Sequence, residues 1–222
     1  MMTEIQKSEA SKAGVPRRLP LSSLQEVARG VECSVYEHPA DSRLLIKVAQ
    51  PVGDRDPLFR RLHTRFGKFR PLLNELEEFL ALQIRAPGDL DLIERIIGVA
   101  ETDRGPGLVV EALRDRAGQL APTLRALATG GLTDGMRREL DGFIARLLAS
   151  DIVVHDTKAS NIVYAHDATS DSGRFVLVDG IGNRPDIPLD SFSRRLSRYN
   201  KARRIERLRA EVAKLARRKK TP

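Results

Sequence analysis

The stretch IVVHDTKASNIVY, residues 152–164, opens with three β-branched apolar residues, turns sharply polar, and becomes apolar again at Ile162. His155, Asp156, Lys158 and Asn161 are thus packed into one short loop between two segments that look buried. Asp, Ser and Asn are also ordinary turn residues, so local backbone chemistry alone is one reading of the loop. The other is phosphoryl transfer from ATP, in which catalysis is mostly positioning and stabilisation of spreading negative charge. That chemistry needs a carboxylate to take or orient a hydroxyl, oxygen ligands for magnesium, and an ammonium fixed by an acid of opposite charge. Asp156, Lys158 and Asn161 supply such groups in the loop, Asp179 lies at the end of RFVLVDGIG, and Lys47, Glu75 and Gly30 lie upstream.

The elements that must position these groups can be read from periodicity and turn signals. VARGVECSVYEH and RLLIKVAQ flank the turn PADS and predict a hairpin that carries Gly30 and Lys47. The polar, Arg-rich residues 51–71 read as a loop or a short helix. LLNELEEFLALQI then repeats Leu72, Leu76, Phe79, Leu80 and Ile84 at helical spacing. Glu75 lies next to that apolar stripe, which favours it over Glu77 and Glu78 as the partner of Lys47. IERIIGVAET and GLVVEAL, separated by DRGPG, predict a second hairpin. After Leu113 helical patterning takes over: a short helix in APTLRALATG, then a longer one in TDGMRRELDGFIARLLAS, capped by Thr133 or Asp134. That helix places Leu140, Phe143, Ile144, Leu147 and Leu148 on one face. NIVYAH and RFVLVDG enclose a third hairpin, and a long basic helix closes the chain.

Composition narrows the class. A chain of 222 residues with 41% hydrophobic and 31% charged residues is long enough to bury a real core, as one domain or as two lobes around a cleft. No apolar run approaches the roughly 20 residues of a membrane helix, and the first residues lack the apolar middle of a signal peptide, so a cytoplasmic protein is expected. The single cysteine, Cys33, excludes an internal disulfide and a cysteine-cluster metal site; it reads as a small, partly buried residue, with redox or electrophile sensitivity as the sharper alternative. The net charge of +8 is uneven: residues 191–222 hold thirteen Lys or Arg and two Glu, a net of +11, so residues 1–190 sum to −3. The basic helix carries Leu196, Tyr199, Ile205, Leu208, Val212 and Leu215 at near-helical intervals. It reads either as a packed helix with a solvated charged face or as a docking surface for an acidic partner or membrane. Without interleaved aromatics it gives no firm nucleic-acid signal.

Taken together these residues resemble the protein-kinase-like superfamily and, over about residues 24–208, the bacterial family of PhoP regulatory network proteins known as YrbL. HPADSRLLIKV, NELEEFLAL, GVAETDRGPGLVVEAL, IVVHDTKASNIVY and LVDGIGNRPDIPL carry the resemblance in that order. It implies an α+β, two-lobe fold with a reduced C-terminal lobe. The expected organisation is a poorly ordered segment 1–19, an N-lobe of antiparallel sheet plus one helix over 20–113, a helical C-lobe with the catalytic loop over 114–204, and a basic tail over 205–222. By resemblance Lys47 and Glu75 form the phosphate-anchoring ion pair, Asp156 is the catalytic base with Lys158 beside it, and Asn161 and Asp179 hold Mg2+. Gly30 covers the phosphates, and Glu111 and Leu113 belong to the hinge that meets the nucleotide.

The match departs from protein kinases in several places. The phosphate-covering loop has one glycine where three are common, and Cys33 stands near the last. Val154 and His155 replace the usual His and Arg, DGIG lacks the apolar residue after the Asp, and only 43 residues follow Asp179. The reading is therefore an ATP- and Mg2+-dependent phosphotransferase acting on a hydroxyl of a small molecule, a sugar or itself. A nucleotide-binding pseudokinase that acts as a signalling module is the alternative, and a basic-tail adaptor for acidic lipid or nucleic acid is a third.

Overall fold

A computed structural model describes residues 18–50, 66–166, 172–182 and 194–218. Most of the 1–19 segment, residues 51–65 and the tip of the third hairpin lie outside that set. The described chain begins within the stretch expected to be poorly ordered: the Leu19 N–H donates to Glu101 O at 2.9 Å, and Leu21 is fully buried.

Five strands form one antiparallel sheet: β1 (Glu26–Arg29), β2 (Cys33–Glu37), β3 (Leu44–Ala49), β4 (Ile96–Thr102) and β5 (Gly105–Glu111), in the order β1-β2-β3-β5-β4. The segment 27–38, expected as one strand, is two. Gly30 N–H donates to Cys33 O at 2.9 Å, which closes a tight bend over residues 30–32 and pairs Arg29 with Ser34. β3 is buried along most of its length because the sheet is covered on both sides. The main core lies on one face, and a smaller cluster of Leu21, Tyr36, Ile46 and Val48 lies on the other.

Helix α1 (Arg70–Arg85) follows β3 after a short 3-10 turn, with Pro71 in its first turn where a missing N–H costs nothing. Its inward face matches only part of the stripe that periodicity suggested: Leu72, Leu76 and Phe79 pack on the core, but Leu80 and Ile84 do not. Leu72, Phe79 and Leu82 are buried together with Glu75 and Glu78, whereas Leu80 and Ile84 are exposed. The two carboxylates can turn inward because each finds a donor there, Lys47 for Glu75 and the Val153 N–H for Glu78.

The second half contains α2 (Leu124–Gly130), α3 (Asp134–Ala149), the hairpin of β6 (Ile162–His166) and β7 (Gly173–Leu177), and α4 (Arg194–Arg218). Thr123 and Thr133 cap α2 and α3: each side-chain oxygen accepts a backbone N–H three residues on, at 3.2 Å. One continuous core joins the two halves, running from Leu45 and Val110 in the sheet through Leu147, Ile152 and Leu177 to Ile205 and Leu208 of α4. The boundary expected after residue 204 falls inside α4, whose buried residues on the far side of it belong to this core. Among the described residues no helix is long and apolar enough to cross a membrane.

Candidate active site

Two contacts fix the loop that follows α3. The Val153 N–H donates to the buried Glu78 Oε1 at 2.8 Å, tying the start of the loop to α1. Residues 153–156 then run beside residues 180–182: His155 N–H donates to Gly180 O at 2.8 Å, Gly182 N–H donates to Val153 O at 2.8 Å, and Val154 bridges Ile181. The two glycines permit this. Gly180 has φ +79°, and a Cβ there would stand 2.1 Å from Asp156 O; Gly182 has φ +83°, and its Cβ would stand 2.5 Å from Asn74 O in α1. A side chain at either position meets backbone, which cannot swing away. DGIG is thus the tight seam between the polar loop, α1 and the end of β7.

Several of the residues singled out in sequence meet at or beside this seam. Lys47 projects from β3, and its Nζ reaches Glu75 Oε2 at 3.1 Å, Glu94 Oε2 at 2.5 Å and Val178 O at 2.5 Å. The Val178 N–H in turn donates to Asn161 O at 2.8 Å, and Asp179 follows directly in the chain. One oxygen of Asp179 accepts the Gly180 N–H at 2.6 Å, and the other faces Gly30, where a Cβ would lie 3.8 Å from it. The Gly30 bend is held down by Gln50, whose Nε2 donates to Gly30 O at 3.1 Å. In the loop, Lys158 Nζ donates to Asp156 Oδ2 at 2.6 Å, and its N–H reaches Asp156 Oδ1 at 3.3 Å. Glu111 ends β5 opposite Leu44, and Leu113 accepts the Ala121 N–H at 2.9 Å; both stand at the passage between the halves.

Glu94 is the residue that sequence reasoning missed. Its N–H donates to Leu177 O at 2.9 Å, and this places its carboxylate beside the strand end from which Val178 meets Lys47. A signal existed: an acid set among Leu92, Ile93 and Ile96, all buried, must find a partner or remain protonated. Glu78, passed over in favour of Glu75, is the second. The comparison among the three neighbouring acids is otherwise clear, since Glu77 is largely exposed and faces Arg70 at 3.7 Å.

Electrostatics here are those of one ammonium among three carboxylates. Burial disfavours charge on Lys47, but Glu75, Glu94 and Asp179 outweigh it and hold its pKa above the usual lysine value. Burial likewise pushes the carboxyls of Glu75 and Glu94 up; Lys47 pulls them down, and Asp179 adds to the rise. Asn161 and Asp179 both offer hard oxygen donors, the type Mg2+ takes while keeping water and phosphate oxygens in its other positions, so the donor set fits that ion. The Cys33 thiol is pushed up to about 12 by burial and by Glu75, which disfavours its thiolate form.

Helix α4 reaches the same loop from below. Lys201, 1% exposed, donates from Nζ to Ser150 O at 2.7 Å and to Leu147 O at 3.0 Å, capping the open carbonyls at the end of α3. Arg204 Nη1 donates to Val154 O at 2.7 Å, and Glu211 accepts the Ala159 N–H at 3.0 Å. In sequence this helix showed an apolar face able to pack, but no signal that its polar residues hold the loop.

A five-stranded antiparallel sheet with one helix between its third and fourth strands is joined to a second half in which Asn161 and Asp179 flank the Val178 carbonyl that meets Lys47. The chain belongs to the YrbL family: the family model described as PhoP regulatory network protein YrbL matches residues 19–213. No curated protein sequence matches the chain. Among solved structures, Rad53 residues 1–466 in complex with AMP-PNP is similar, with 18% identity and a TM-score of 0.45 over 71% of this chain and 38% of that one. This chain therefore spans under two fifths of that neighbour's length, and at this identity and score no property of the neighbour carries over.

Proposed function

We propose that the chain is an ATP- and Mg2+-dependent phosphotransferase that acts on a hydroxyl. The observation that carries this reading is the convergence of three segments distant in sequence: Lys47 meets Val178 O, Val178 meets Asn161 O, and Asp179 lies between that junction and Gly30. Lys47 would steady the nucleotide phosphates, held in place by Glu75 and Glu94. Asn161 and Asp179 would hold Mg2+, which supplies charge neutralisation on the phosphates when bound. Glu111 and Leu113 would meet the base at the hinge. Asp156 would orient the acceptor hydroxyl and take its proton, with Lys158 keeping that carboxylate in place.

A second reading, a nucleotide-binding module that signals by contact, is favoured by one observation. All three N–H bonds of the Lys47 ammonium already have acceptors, so a phosphate oxygen must displace or share one of them. Incubation of the protein with γ-labelled ATP and Mg2+, alone and with a panel of small alcohols, separates the two. The phosphotransferase reading expects label on the protein, on an alcohol or in released phosphate, falling at least about a hundredfold in Asp156→Ala. ATP that raises the melting temperature yet stays intact would favour the signalling module.

A further inference from the structure

Beneath the polar loop, between it and α4, lies a pocket of about 310 Å3. Asp156 and Lys158 line it on the loop side, and Arg204, Arg207, Leu208 and Glu211 line it on the helix side. That volume lies at the small end of the range for small-molecule sites.

Most of the charged groups in the wall are already engaged. Lys158 is paired with Asp156, Arg204 donates to Val154 O, and Glu211 is shared between Arg125 at 2.9 Å and the Ala159 N–H. Arg207 differs, being exposed and paired with no acid among the described residues. A guanidinium in that state is a two-pronged donor set for a phosphate or carboxylate. One wall of the pocket thus carries the carboxylate proposed to receive a hydroxyl, and the other carries a cation able to hold an oxyanion.

We infer that this pocket is an acceptor site for a small alcohol bearing an oxyanion, such as a phosphorylated or carboxylated polyol, with Arg207 as the group that holds the anion. The inference rests on the phosphotransferase reading for the role of Asp156. In the transfer the alcohol oxygen forms a bond to the γ-phosphorus of ATP, and the bond from that phosphorus to the β–γ bridging oxygen breaks. ADP leaves, and the alcohol's proton passes to Asp156 and then to water. The net charge of +8, concentrated near α4, would draw such anions toward the site.

The test is calorimetric titration of the full chain, wild type and Arg207→Glu, with glycerol, glycerol 3-phosphate and glycerate, alongside ATP with Mg2+. Vesicles of phosphatidylcholine with and without phosphatidylglycerol form a further arm, because a lipid headgroup offers the same phosphate and hydroxyl. The expected result is binding of the two anions at least about tenfold tighter than glycerol, lost by about tenfold in Arg207→Glu. ATP affinity should be the same in both proteins, and Arg207→Lys should restore part of the anion binding. Equal affinity for glycerol, insensitivity to Arg207→Glu, no binding of any probe, or binding to vesicles alone would each overturn the inference. Arg207-dependent anion binding without any ATP binding would uphold the ligand class and overturn the phosphotransferase reading on which the acceptor role rests.

Discussion

An ammonium in a dry site costs several kcal/mol unless it is fully paired, and removing one member of a buried ion pair typically costs about 3–5 kcal/mol. Lys47 is paired twice over, by Glu75 and Glu94, with Asp179 near enough to act on both. Glu75 was legible because it adjoins the helical stripe; for Glu94 only the need of a partner was legible, and not which one, because its position follows from Leu177, more than eighty residues away. Glu78 offers a test at this scale. Burial raises its carboxyl pKa, only partly offset by the Val153 N–H. A carboxyl raised above its unfolded value contributes most stability below that unfolded value, and the contribution is lost as pH rises through the folded one. Glu78→Gln keeps an acceptor for Val153 and removes the charge. Chemical denaturation should therefore show Glu78→Gln gaining on wild type as pH increases from 4 to 8; a difference that stays constant with pH would contradict this account.

The seam of residues 153–156 against 180–182 shows how elements, rather than single side chains, position the site. β7 ends at Leu177, the chain turns through two glycines at positive φ, and the polar loop lies directly against them. In Gly180→Ala a non-glycine residue would occupy left-handed space, at roughly 1–2 kcal/mol, and its Cβ would meet Asp156 O at 2.1 Å. With overpacking added, a loss of at least about 2 kcal/mol in unfolding free energy is expected, together with loss of ATP-dependent stabilisation. A normal denaturation midpoint with nucleotide response intact would rule out the seam as the positioning device. Hairpins and helices were mostly legible here because turn residues and caps announce them: Thr133 caps α3 as its sequence position indicated. The split of 27–38 into β1 and β2 was less so, since only Gly30 interrupts an otherwise strand-like run. The outward turn of Leu80 and Ile84 had no local signal, because tertiary partners for Glu75 and Glu78 decided the helix orientation.

At the scale of the molecule, α4 closes the structure from below. Of its two readings, a packed helix or a docking surface, the packed helix describes its inner face: Lys201 is buried against the end of α3, and Ile205 and Leu208 enter the core. Burial of those two side chains alone is worth roughly 3–6 kcal/mol, a large share of a typical domain's net stability. Truncation after residue 200 should therefore abolish cooperative unfolding by circular dichroism; a truncated chain that melts like the full one would show α4 to be dispensable. The amphipathic interval of Ile205 and Leu208 was visible in sequence, but the use of Arg204 and Glu211 on the polar loop was not, because a charge run reads equally well as a solvated face. In the proposed function, Lys47, Asn161 and Asp179 would frame one nucleotide site across the two halves. Titration of ATP into wild type and Asp179→Asn, with and without Mg2+, tests it most directly. The account predicts Mg2+-dependent binding that weakens at least about tenfold in the variant or on chelation of the metal. Binding that is absent from the wild type, or indifferent to both Mg2+ and Asp179, would contradict it.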